Sequence, residues 1–271
     1  MARWADARRV CKRLVEIAGS NLLSTLSGPL PRYWNSPVDS NDPEGMLSRI
    51  APSRATTDAP MLTLYTTALS ANGRKVLAVC RQLELEPEIR DVNVYRGEGR
   101  TAEYLAVNPS GKIPTLVDGD LTLYESNAIL QYVAEAHGNF QLWSRDPKTR
   151  ARIARWLYWE SGHWQPVLTT LLSSCVGHHL LPDVVPRPVV DPEWDAAELR
   201  PLLSVLNRAL SASPFLVGEE PTIADFSVAG MVTYFTIASF PFKDHPPFMD
   251  WYARVEALDG WRATRHPLWS V

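Results

Sequence analysis

Cysteine is scarce in this chain. The three in 271 residues, Cys11, Cys80 and Cys175, lie far apart without a C-x-x-C pair, which excludes a disulfide scaffold and suits a reducing compartment, here the cytoplasm. No uninterrupted apolar run approaches the roughly 18 residues that cross a bilayer. The longest candidate, 228–242, carries threonines, serine and proline, and no membrane partner is expected. Charge of one sign is not in excess: 27 Lys+Arg against 30 Asp+Glu leave a net −3, and without a basic block no nucleic-acid partner is expected either. Metal-ligand spacing is lacking as well. Cys175, His178 and His179 are neighbours, but a structural zinc site takes four ligands at recognisable spacings, and no metal is expected.

Periodicity is missing from 20–60, which is rich in Ser, Pro, Asp and Asn and reads as a tail without a core. Before it, Arg3, Arg8, Arg9, Lys12 and Arg13 alternate with Val10, Leu14 and Val15 as in a short amphipathic helix. No apolar h-region follows these charges, so a signal peptide is not expected. Asp6 and Glu16 count against an organelle transit segment. Residues 1–60 are thus expected to form an N-terminal extension, mostly disordered. A start at Met61, immediately before the first strand signal, stays open as the alternative.

What is present is enough apolar material, 45% of residues, for a substantial core in one or two domains. Strand signals at Leu62–Tyr65 and Ile89–Val94 flank an expected helix from Gly73 to Leu83, and a short helix over Thr101–Leu105 precedes a hairpin around Asp118-Gly119. Ser126 reads as the N-cap of the next helix, whose stripe is Ile129, Val133 and Ala136. The order β-α-β-α-β-β-α implies a small mixed sheet covered by helices, over 61–138.

Beyond it only helical signals remain, over 146–267. Asp146-Pro147 is a cap followed by proline at the first helical position, and Ile153, Trp156, Leu157, Glu160 and Trp164 recur at helical spacing until Pro166, expected to bend or end the helix. Four prolines over Pro182–Pro192 read as a loop, and Asp191-Pro192 starts a helix from Glu193 to Leu210 with a kink or break at Pro201. Thr222 and Asp225 make a capping box with Asp in the place of Glu, opening a buried helix through Ala238, and a last helix covers Phe248–Leu258.

The most informative stretch is Asn108-Pro109-Ser110-Gly111-Lys112-Ile113-Pro114-Thr115 followed by Leu121-Thr122-Leu123-Tyr124-Glu125-Ser126-Asn127-Ala128-Ile129. It resembles the glutathione-binding core of the cytosolic glutathione transferases, and Thr222 with Asp225 resembles the helix-capping motif of that family's second domain, a folding role. The resemblance covers about 61–267. It implies a thioredoxin-like α/β domain followed by an all-α domain, and a cis bond before Pro114. It also implies glutathione as co-substrate: main-chain pairing at Ile113 as in β-augmentation, Lys112 meeting the glycyl carboxylate, Ser126 the γ-glutamyl carboxylate, and Glu125 its ammonium.

In the serine-type members, and in bacterial and fungal relatives with Thr-x-Asn or Ser-x-Asn, the group that activates the thiol precedes the first helix. Ser70 matches that position, five residues after Tyr65, with Asn72 as a second donor. Ser70 or Asn72 also suits a plain helix cap. No cysteine lies in the Thr66–Val76 loop, which disfavours mixed-disulfide chemistry on the protein. For the electrophile, Trp156, Tyr158, Trp159 and Trp164 are candidates for an apolar wall and His163 for a polar contact, of which Trp159, His163 and Trp164 are carried forward. Some of the aromatic residues must instead be core. The expected activity is conjugation of glutathione to a small hydrophobic electrophile, a detoxification reaction, by a homodimer. A glutathione-dependent disulfide reductase and a non-catalytic binding module of the same fold are the alternatives.

Overall fold

Successive side chains of β1 (Thr63–Thr66) point to opposite faces, and that alternation divides the first domain into two layers. Leu64 joins a large core with Leu116, Val76 and Ile129, whereas Tyr65 packs with Val92 and Tyr104 on the far side. This computed structural model describes residues 62–169, 195–233 and 241–265. The four-stranded sheet has the order β2-β1-β3-β4, where β2 is Glu88–Asp91, β3 Thr115–Asp118 and β4 Leu121–Tyr124. β2 runs parallel to β1, while β1 with β3 and β3 with β4 are antiparallel. Helices α1 (Ala71–Gln82) and α3 (Ser126–Ala136) share the larger core, and α2 (Ala102–Val107) lies on the Tyr65 side. This is the thioredoxin-like arrangement.

Register decides where a site can form. Thr115 lies opposite Tyr65 on one side and Tyr124 on the other. The C-terminal end of β1, the start of β3 and the end of β4 therefore emerge at one margin of the sheet. Ser70, Ile113 and Glu125 all follow or precede those ends by a few residues.

The remaining helices are α4 (Pro147–Trp159), α5 (Arg200–Leu210), α6 (Ile223–Gly230), α7 (Pro246–Ala257) and α8 (Asp259–Ala263). Asp146 caps α4 by accepting from the Thr149 N–H at 2.8 Å, with Pro147 at the first turn. Asp225 holds the second domain together. Its carboxylate accepts from the N–H groups of Thr222 and Leu216, the Thr222 hydroxyl and the Trp251 indole. Burial nevertheless pushes its carboxyl above the usual range.

Several sequence expectations are corrected. α1 begins two residues before Gly73, because Ser70 caps it, and the second strand stops at Asp91 because Val94–Arg96 coils into a 3-10 turn. The hairpin loop is Gly119-Asp120, since Asp118 still pairs with Leu121. Pro166 does not end its helix: a π turn at Glu160–Trp164 precedes it and helical backbone continues through 165–169. The wider turn accommodates a residue that cannot donate to the preceding turn. Pro201 is treated in the same way, with a π turn at Asp195–Leu199 just before it. α6 ends at Gly230 and gives way to a turn at 231–233, the rest of the expected helix to Ala238 lying outside the described residues. The last expected helix, Phe248–Leu258, is α7, and the short α8 follows it unforeseen. The expectations for 1–60, the proline-rich loop and Cys175, His178 and His179 fall outside the described residues.

Candidate functional site

The N-terminus of α1 forms the first wall. Ser70 has extended backbone, and its Oγ accepts from the Gly73 N–H at 2.9 Å. That bond occupies a lone pair and leaves the hydroxyl proton without an acceptor among the described residues. Ser70 is only 8% exposed, so the O–H sits in a partly desolvated place beside the positive end of a helix. The cap reading and the donor reading are compatible, because they use different parts of one hydroxyl. Gly73 leaves room for the Thr66 side chain here: a Cβ there would lie 1.8 Å from Thr66 Oγ1 and 3.0 Å from Thr66 Cβ. Cys80, the thiol further along α1, is fully buried, and burial pushes it up to about 12, so it is no competing thiolate.

The second wall is the loop 108–114. The Tyr104 hydroxyl donates to the Lys112 carbonyl at 2.7 Å, and the Asn108 amide donates to the same carbonyl at 2.8 Å and to Thr115 Oγ1 at 2.9 Å. Asn108 Oδ1 accepts from the Ser110 N–H and hydroxyl. Burial raises the Tyr104 hydroxyl above its ordinary range, which keeps it a neutral donor. Braced in this way, the loop presents a cis Ile113–Pro114 bond. No protein group among the described residues bonds the backbone N–H or C=O of Ile113. Lys112 extends its side chain into solvent.

The third wall is the start of α3, where one expectation fails. Glu125, not Ser126, occupies the cap position, and it makes no side-chain cap bond. Ser126 is the first helical residue, 9% exposed, and its hydroxyl donates to Asn72 Oδ1 at 3.4 Å instead of facing outward. The chain enters the helix through a sharp corner at Glu125, whose φ is 69, and that corner displaces the cap by one residue. Such a conformation in a non-glycine residue costs on the order of 1–3 kcal/mol and clusters at functional sites. The N–H groups of Ser126 and Asn127 bond no protein group among the described residues. Two unpaired donors at a helix start are suited to a carboxylate. The Ser126–Asn72 bond joins this wall to the first.

Of the aromatic candidates, Trp164 is corrected. It is fully buried and its indole donates to the Val228 carbonyl at 3.1 Å, so it packs the core. Trp156 is likewise buried, donating to the Leu216 carbonyl. Trp159 is half-buried, stacked on Trp164 with centroids 5.8 Å apart and edge-on to Trp156 at 5.2 Å. His163 is exposed, and so is Tyr158 at 72%.

Sequence reasoning missed a buried polar cluster behind Ser126. Lys75 and Glu160 form a 3.1 Å ion pair with both side chains at 0% exposure. Asn127 donates to Glu160 Oε2 at 2.8 Å and to the Leu157 carbonyl at 2.9 Å, and accepts from the Ser227 hydroxyl at 2.7 Å. Burial pushes the Lys75 ammonium below its usual range, and Glu160 opposes that shift. A signal existed: Glu160 continues the apolar stripe of Ile153, Trp156 and Leu157 into the π turn, and a buried acid needs a partner.

Among the described residues no group of His, Cys, Asp and Glu could hold a metal ion, and no helix is long and apolar enough to cross a membrane.

Comparison with known proteins follows the same division of the chain. Residues 64–141 match the glutathione S-transferase N-terminal domain and 182–254 the glutathione S-transferase C-terminal domain. A probable glutathione S-transferase of Oryza sativa subsp. japonica is 34% identical over 200 residues, 73% of this chain and 89% of that protein. The disulfide-bond oxidoreductase YfcG of Escherichia coli (strain K12) is 31% identical over 204 residues, 73% of this chain and 91% of that protein. Among solved structures, the Bombyx mori glutathione transferase BmGSTD1 superposes with a TM-score of 0.63 at 27% identity, covering 76% of this chain and 98% of that one. With both domains matched in order, the chain belongs to the glutathione transferase family.

Proposed function

We propose that this protein binds glutathione along the sheet margin and transfers its thiolate to a small hydrophobic electrophile. The observation that carries the reading is the convergence of two helix N-termini, joined by the Ser126–Asn72 bond, on a hydroxyl proton at Ser70 that has no acceptor among the described residues. In this reading the cysteinyl main chain pairs with Ile113, held by the bend at Pro114. The γ-glutamyl carboxylate takes the N–H groups of Ser126 and Asn127, its ammonium faces Glu125, and the glycyl carboxylate meets Lys112.

The sulfur then lies at Ser70, whose O–H donates to S⁻ while Asn72 supplies an amide beside it. The thiol proton leaves to solvent. The thiolate lone pair forms the C–S bond as the leaving group departs with the bonding pair. Trp159 and His163 would line the acceptor side. Catalysis of this kind is anion stabilisation and needs no general base on the protein.

The relationship to a disulfide-bond oxidoreductase, together with an asparagine in contact with the site, favours one second reading, reduction of a disulfide by two glutathiones. Thiol-dependent turnover across activated aryl halides and disulfides tests both. Turnover of aryl halides supports transfer, and turnover of disulfides alone replaces it with reduction. Binding without either turnover leaves a non-catalytic module. The cytoplasm, where glutathione is abundant, is the compartment this chemistry needs, and a homodimer is the proposed assembly, read by light scattering.

A further inference from the structure

The Lys75–Glu160 pair asks for an explanation beyond stability. Removing two charges from water is costly, and well-packed apolar residues in their place are often as stable. What the pair does geometrically is specific. Glu160 uses one oxygen for Lys75 and the other for Asn127. Asn127 in turn has both amide protons and its carbonyl engaged, by Glu160, Leu157 and Ser227. Its side chain is thus held by α4, the π turn and α6, while its backbone N–H bonds no protein group among the described residues. Lys75 reaches the pair because α6 presents Gly230 to it: a Cβ there would lie 3.1 Å from Lys75 Cδ.

Resting on the glutathione-binding reading above, we propose that the Lys75–Glu160–Asn127–Ser227 cluster is a positioning device for the γ-glutamyl end of the tripeptide. The second domain holds the first turn of α3 through Asn127, and so aims the N–H groups of Ser126 and Asn127 at the carboxylate. The cluster acts on the end of the ligand remote from sulfur. Its loss weakens binding and leaves ionisation of the thiol to Ser70.

The test uses the full chain and S-methylglutathione, which carries the peptide groups without an ionisable thiol. Calorimetric affinity is measured for the wild type, for the paired replacement Lys75→Met with Glu160→Met, and for Ser227→Ala, which removes one bond to Asn127. The pKa of bound glutathione is followed in parallel by thiolate absorbance. The expected result is a dissociation constant at least ~10-fold higher in the paired variant and roughly threefold higher in Ser227→Ala, factors that correspond to partial loss of charge-assisted bonds, with the thiol pKa unmoved. Affinity within twofold of wild type in a folded paired variant overturns the proposal, and so does a thiol pKa that rises together with the dissociation constant. If the paired variant does not fold, Ser227→Ala decides alone, and unchanged affinity there is equally fatal. A wild-type chain that does not bind S-methylglutathione refutes the glutathione reading itself, a result distinct from the other two.

Discussion

Replacing Ser70 by alanine separates the two uses of one hydroxyl. As a cap, its oxygen accepts from Gly73 N–H at 2.9 Å, and loss of such a cap costs about 0.5–2 kcal/mol of stability. As a donor to sulfur, its proton stabilises S⁻ by about 1.5–3 kcal/mol. At about 1.4 kcal/mol per unit, that is one to two units on the bound thiol. A free cysteinyl thiol ionises near about 8.5, so the wild-type complex is expected to titrate one to two units below that value and the variant close to it. Conjugation by Ser70→Ala at neutral pH should therefore fall roughly ten- to a hundredfold, following the thiolate fraction, and recover as pH rises through the free-thiol range. Ser70→Thr keeps both oxygen and proton and should keep both properties. The assay is a pH–rate profile with an activated aryl halide, run below the variant's melting temperature and paired with thiolate absorbance. A folded Ser70→Ala chain with the wild-type pH profile would remove Ser70 from the chemistry and leave it a cap.

Other outcomes follow from single contacts. Gly73→Ala drives a methyl into Thr66 Oγ1 at 1.8 Å and should lower stability by about 1–3 kcal/mol, with partial rescue by Thr66→Ala, read by thermal melting. Asp225→Ala leaves four donors without an acceptor and should cost roughly 3 kcal/mol or more. Glutathione affinity of the folded fraction should be unchanged, since Asp225 touches no wall of the site. Glu125→Gly relieves the corner at φ 69 and should raise stability by up to about 1 kcal/mol while weakening glutathione binding, a pairing of opposite signs that calorimetry and melting together detect. Trp159→Ala should raise KM for the electrophile more than KM for glutathione, whereas Trp164→Ala should act on stability, at about 3–5 kcal/mol.

Local chemistry was legible where the residues involved lie close in sequence. The hairpin, the Thr222–Asp225 box, the Asp146-Pro147 helix start and the Asn108–Thr115 run are all contained within a few residues, and their hydrogen bonds are correspondingly local. The stripe through Ile153, Trp156, Leu157 and Trp164 marked a buried face correctly but did not tell core from pocket wall. Periodicity reports which side faces inward, and what separates the buried Trp164 from the half-buried Trp159 is a tertiary contact, the bond of its indole to the Val228 carbonyl. The cap at α3 was misplaced by one residue because a positive φ at a glutamate is imposed by the corner between β4 and α3, not by the intrinsic preference of the residue.

The sequence by itself therefore determined the family, the two-domain order and the residue types at the sheet margin, because propensity, turn chemistry and short-range capping act within a turn or two of backbone. The tertiary structure alone decided that Ser126 meets Asn72 across 54 positions, and that Lys75, Glu160, Asn127 and Ser227 close on one another from four separate elements. The reason is physical: a buried polar group takes whichever partner packing brings within hydrogen-bond reach, and that proximity is set by the crossing of helices and strands distant in the chain.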